Sequence, residues 1–235
     1  MYAQTTAQGQ VPIYPESDGK PMAETDVHRN LLTDLVFTLE NHFRRQSDVY
    51  VSGNLLVYYV EGNPAKCFAP DVFVVRGVPK GQRRIYKLWE EGVAPQVVIE
   101  LTSRKTSRED LQTKWKLYQE LGVQEYFIFD PEYDYLDEPL LGYRLEEGRY
   151  VEQAIKDHRI ISNELGLELV DTGKTLRLLD PATGQFLPNS LEAATAQEQL
   201  QNALQAEKEA RQLAAELEAT LALYRKQFGD LPKEK

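Results

Sequence analysis

The sequence predicts an α/β fold, a mixed sheet flanked by helices, with one long helix outside the core. Three observations predict it. An amphipathic helix opens the folded part, a series of short apolar strands follows, and one pair of those strands is joined through a helix.

Residues 1–24 carry Gly9, Pro12, Pro15, Gly19 and Pro21 among polar residues without a period, which reads as a flexible N-terminal arm. The folded domain spans 25–188. Thr25 or Asp26 can cap a helix in which Val27, Leu31, Leu35, Leu39 and Phe43 recur every fourth residue, leaving one apolar face. Val49–Val51 and Leu55–Val60 read as short strands separated by Ser52, Gly53 and Asn54. Asp71–Val75 follows Pro70 as a continuous β-branched run, the pattern of a strand buried on both faces. The segment from Gly81 to Gly92 reads as a loop or short helix. Gln96–Leu101 is a further strand, and it closes on a carboxylate, Glu100.

Asp110–Leu121 reads as a helix stopped by Gly122, and Glu125–Phe129 as the strand after it. This strand–helix–strand unit implies a parallel pair. Leu141–Val151, Leu165–Val170 and Leu176–Leu179 read as hairpins at the sheet edge. Residues 189–235 form a C-terminal helix and tail. Ser190–Phe228 contains neither glycine nor proline, and its heptad positions are Leu200, Glu207, Ala214, Leu221 and Phe228 with Ala196, Ala203, Ala210, Leu217 and Tyr224. A coiled coil, and through it a homodimer, is the expectation; Glu207 interrupts the seam, and Leu204 and Leu213 lie off it.

Composition bounds the function. The 235 residues carry 27 Lys plus Arg against 37 Asp plus Glu, a formal net charge of −10. That balance excludes an overall basic field, so any binding to nucleic acid needs a local basic surface. Arg83, Arg84 and Lys87, with Arg104, Lys105 and Arg108, are the candidates for it. No apolar run has the length of a membrane span, the start MYAQTTAQGQ lacks the marks of a secretory signal, and Cys67 is the single cysteine. A cytoplasmic protein without membrane partners is the expectation.

The chemistry is carried by carboxylates. Asp71 begins one buried strand and Glu100 ends another, so pairing of the two strands brings both acids together. Buried acids need a partner, and Mg²⁺ takes one or two carboxylates from protein and fills its other sites with water and phosphate oxygens. The Leu101 carbonyl is a third ligand candidate. Asp110, Lys114 and Tyr118 are spaced by four and share a helical face, which turns Lys114 back toward the strand end. The same spacing also suits a surface ion pair beside a packing tyrosine.

At this point a resemblance emerges. Pro70-Asp71, then Val98-Ile99-Glu100-Leu101-Thr102-Ser103, then Asp110, Lys114 and Tyr118, then Gly122-Val123-Gln124-Glu125-Tyr126-Phe127-Ile128-Phe129-Asp130-Pro131 resemble the successive motifs of the Uma-two family, over about residues 22–170. That family belongs to the restriction-endonuclease-like, or PD-(D/E)xK, superfamily. The resemblance implies a restriction-endonuclease-like fold and an endonuclease, a hydrolase of DNA phosphodiesters that uses Mg²⁺ or Mn²⁺. Asp71 is similar to the family's metal-binding aspartate and Glu100 to the acid of its Glu-x-Lys element. Thr102 stands where the superfamily pattern has lysine. Lys114 on the next helix matches the substitute lysine, with Lys105 in the loop a weaker candidate, and Tyr118 resembles the accompanying tyrosine. His28 and Glu40 on the first helix are further candidates near the metal. The rival reading is a catalytically inactive nuclease fold kept as a binding and oligomerisation module, which the missing lysine and the acidic balance both favour.

Overall fold

The computed structural model describes residues 12–17, 19, 24–103, 106 and 109–229. It divides into two compact units, 1–189 and 190–235. Unit one begins with α1 (Asp26–His42), capped by Thr25, whose Oγ1 accepts a hydrogen bond from the His28 N–H at 3.3 Å. Then come β1 (Val49–Ser52), β2 (Val57–Tyr58), β3 (Cys67–Phe68), β4 (Val72–Arg76), β5 (Tyr86–Lys87), α2 (Leu88–Glu91) and β6 (Val97–Leu101). A π-helical turn (Glu109–Lys114) runs into α3 (Trp115–Leu121). The unit closes with β7 (Glu125–Phe129), β8 (Leu140–Glu146), β9 (Arg149–Glu152), β10 (Arg159–Ser162), β11 (Leu167–Asp171), β12 (Leu176–Asp180) and β13 (Gln185–Phe186).

The central sheet is mixed, with strand order β1-β4-β6-β7-β8-β9, and β6–β7 is its parallel pair, as the helix between them requires. Its two faces are covered differently. Val97, Ile99 and Leu101 of β6 turn to the face packed by Leu31, Leu35 and Leu39 of α1, while Val98 and Glu100 turn to the opposite face, packed by Tyr118 and Tyr126. This period of two is what aims Glu100 at α3.

Some elements differ from the sequence reading. Only Val57–Tyr58 of the Leu55–Val60 run becomes strand, and it pairs outside the main sheet with β3 and β5. Strands of two residues leave no periodic trace, so β3 and β5 had no signal. The β8–β9 hairpin does extend the sheet, turning at Glu147 and Gly148, both with positive φ. The later strands instead form a separate four-stranded antiparallel sheet, β10–β13, whose Ile160, Leu167, Leu169, Leu176 and Leu178 join the core beneath α1. Unit two is α4 (Ser190–Phe228), a 39-residue helix without a buried residue. No helix is long and apolar enough to cross a membrane among the described residues.

Candidate active site

Antiparallel pairing of β4 with β6 sets Val72 opposite Ile99, which brings Asp71 beside Glu100 and Leu101. The two acids are tied through backbone. Asp71 Oδ2 accepts the Leu101 N–H at 2.7 Å, and Glu100 Oε2 accepts the Asp71 N–H at 3.3 Å. On the other side of Asp71, Gly53 lets the chain leaving β1 pass close by, because a Cβ there would drive into the Asp71 carbonyl oxygen and touch Val36.

Lys114 reaches the same spot from the π-turn. Its Nζ lies 2.9 Å from Glu100 Oε2 and 3.0 Å from Asp110 Oδ1, and both acids are fully buried. One helical turn on, the Tyr118 hydroxyl donates to Glu100 Oε1 at 2.5 Å. Asp110, Lys114 and Tyr118 therefore do share one face, with the π-turn at its start. The sequence shows the spacing but not this wider turn.

The charges follow from burial and neighbours. Burial lifts the Glu100 carboxyl to about 8 against the pull of Lys114, with Asp71 and Asp110 adding to the rise. Burial opposes the charge on Lys114, but Glu100, Asp110 and Asp71 outweigh it and hold the ammonium firmly protonated. Burial likewise opposes ionisation of Asp71, yet the hydrogen bond from His28 and the charge of Lys114 bring its carboxyl below the ordinary value. Tyr118 is pushed well up by burial and by Glu100, so its hydroxyl stays a donor.

His28 completes the cluster. Its Nε2 donates to the Leu101 carbonyl at 2.9 Å and stands 3.5 Å from Asp71 Oδ2, while Nδ1 faces Glu24 Oε2 at 3.3 Å. Both ring nitrogens face acceptors, which suits the doubly protonated ring. Burial works against that charge, but Asp71 and Glu24 overcome it and raise His28 to about 9.

The family model named Uma2 and described as "Putative restriction endonuclease" matches residues 6–175. The chain belongs to this family. Among solved structures, it is similar to a chain described as "a putative nuclease belonging to DUF820 from Anabaena variabilis", at 17% identity and a TM-score of 0.45, covering 62% of this chain and 76% of that one. No curated protein matches.

The remaining predicted residues of this Uma2 chain sort clearly. Glu40 is exposed and lies about 18 Å along α1 from His28; it lines a separate cleft with Tyr50 and Arg83. The periodic stripe placed both residues on one helix, but helix length separates them, and only His28 reaches the acids. Arg104, Lys105 and Arg108 lie outside the described residues. Arg83, Arg84 and Lys87 are each paired with an acid, Glu91, Glu16 and Glu90 respectively, and Arg83 also stacks on Tyr50. Glu24, the partner of His28, had no signal in the sequence.

The donor set fits a hard divalent cation. Asp71, Glu100 and the Leu101 carbonyl present oxygens at adjoining strand ends, and the buried Thr102 hydroxyl has no hydrogen-bond partner among the described residues. No group of three or more His, Cys, Asp or Glu is arranged to hold a metal ion among the described residues.

Proposed function

We propose that this chain is a metal-dependent endonuclease that hydrolyses phosphodiester bonds in DNA, and that it works as a homodimer joined through α4. The observation that carries the reading is the Lys114–Glu100 pair at 2.9 Å. It supplies, from the following helix, the cation that Thr102 does not provide two residues after Glu100.

Asp71, Glu100 and the Leu101 carbonyl would hold Mg²⁺ or Mn²⁺. When bound, the ion supplies Lewis acidity toward the phosphate. The protein's own residues set the stage for it. Tyr118 fixes the Oε1 edge of Glu100, and the Leu101 N–H fixes Asp71, so neither acid rotates freely. Lys114 keeps positive charge beside Glu100 in a dry setting, where it favours the charge that grows on a phosphate under attack. Asp110 holds Lys114 in place from four residues before it.

A second reading is supported by one observation. His28 Nε2 already occupies the space between the Leu101 carbonyl and Asp71 Oδ2. A protein whose cation site is filled by its own imidazolium is an inactive fold kept for binding and oligomerisation. The test is a plasmid-cleavage assay with Mg²⁺ and with Mn²⁺ on wild type, Glu100→Gln and Lys114→Ala, each checked for folding. Metal-dependent nicking by wild type alone supports the nuclease; no cleavage of any DNA with either metal supports the inactive fold.

A further inference from the structure

The exposed face of α4 carries more information than its heptad period. Leu200, Leu217, Leu221, Tyr224 and Phe228 are each 43–65% exposed. Tyr224 and Phe228 touch, with ring centroids 4.7 Å apart, which fixes them on one face. The seam is uneven. Its large residues gather toward Phe228, its alanines toward Ser190, and Glu207 sits near the middle.

We infer that α4 pairs with a second copy of itself in the antiparallel sense, in the register that sets Glu207 against the partner's Ala210. This rests on the homodimer proposed above and adds its direction and register. Three features of the helix support it.

The first is size. In an antiparallel coil each a position meets a d position of the partner. The stated register overlaps residues 190–227 and pairs Ala193 with the partner's Tyr224, Ala196 with the partner's Leu221, and Leu200 with the partner's Leu217. Small residues meet large ones in the two outer layers, so the tyrosines do not stack on each other, while Leu200 with the partner's Leu217 and Ala203 with the partner's Ala214 form the inner layers. A parallel coil would stack alanine on alanine at one end and tyrosine on tyrosine at the other, and the two helices would splay.

The second is charge. A parallel coil sets Glu207 against its own copy in the seam, two like charges facing each other in a desolvated layer. In the antiparallel register Glu207 stands beside a small residue and next to the partner's Arg211. Arg211 already bonds Glu207 of its own chain at 2.6 Å, so it can turn to either carboxylate.

The third is the pair of leucines off the seam. Leu204 falls on the flank where the partner's Arg211 passes, and its apolar surface meets that arginine's stem. Leu213 falls on the other flank, opposite the partner's Ala206. Both are 56–57% exposed in the single chain. In this arrangement the chain enters the coil at opposite ends, with the two Ser190 residues about 56 Å apart along the axis.

The test uses full-length chain with Cys67→Ser, carrying either Ala203→Cys or Ala214→Cys. The proposed register puts these two positions in one layer, whereas each is about 16 Å along the axis from its own copy, beyond the reach of a disulfide. On mild oxidation, a mixture of the two variants should give covalent dimers and neither variant alone should. Linking of Ala203→Cys to itself would overturn the antiparallel register while leaving a dimer. Sedimentation equilibrium on wild type separates the two failures, because a monomer across micromolar concentrations overturns the dimer as well.

Discussion

Lys114 Nζ and Glu100 Oε2 lie 2.9 Å apart, although the two residues are on different elements and neither holds more than a trace of solvent contact beyond the lysine's 15%. A third group, Asp110, shares the same ammonium at 3.0 Å. One cation therefore sits between two buried acids, and they have it in common as a counter-charge.

Removing that cation should be costly. Lys114→Met leaves Glu100 and Asp110 buried without a counter-charge, and breaking a buried pair in this way costs about 3–5 kcal/mol. Urea melts of the variant against wild type measure it, and adding Asp110→Asn should recover part of the loss. A melt unchanged within error would show that the pair is not closed in solution.

Metal binding should be visible without cleavage. If Asp71 and Glu100 hold Mn²⁺, metal at about a hundred times its dissociation constant stabilises the folded chain by about 2.7 kcal/mol, or roughly 5–10 °C in Tm. Asp71→Ala should abolish the shift and the plasmid nicking together. An equal shift in wild type and variant would place the metal elsewhere.

Tyr118→Phe tests the fixing of Glu100. The ring is wholly buried and its packing against Phe68 and Tyr126 survives the change, so the loss reports the hydroxyl alone. A buried hydrogen bond to an acid is worth about 1.5–3 kcal/mol. The expected result is that loss in a denaturant melt, with kcat reduced more than KM; a fall in KM alone would argue against a role for the hydroxyl in holding Glu100.

Gly53→Ala tests the approach of β1 to Asp71. The added methyl meets the Asp71 carbonyl oxygen and Val36, and backbone cannot swing aside as a side chain can. A destabilisation of about 1–3 kcal/mol is expected from the overpacking, together with loss of the Mn²⁺-induced shift, read by the same thermal melts. A variant with wild-type stability and wild-type metal response would show that the strand ends are free to separate.

Much of the site was legible along the chain because its parts lie on periodic elements. Val72–Val75 and Val97–Ile99 are continuous apolar runs, so the acids beside them stand out as exceptions, and the spacing by four of Asp110, Lys114 and Tyr118 puts them on one face whether the turn is α or π. His28 shared its stripe with Glu40, and helix phase alone could not separate them. What distinguishes them is distance along α1. Glu24 was invisible because its contact with His28 depends on how the chain enters the helix, which no period records.

The sequence by itself determined the order of the main elements, the apolar faces that build the two cores, the acids at the strand ends and the long helix of α4. These are local properties, set by side-chain period, caps and breakers within a few residues. Only the tertiary structure decided which strands join the main sheet, that β10–β13 forms a sheet of its own under α1, that His28 rather than Glu40 meets Asp71, and that Lys114 serves both Glu100 and Asp110. Those outcomes depend on contacts between residues far apart in the chain, where burial decides which polar groups must find each other.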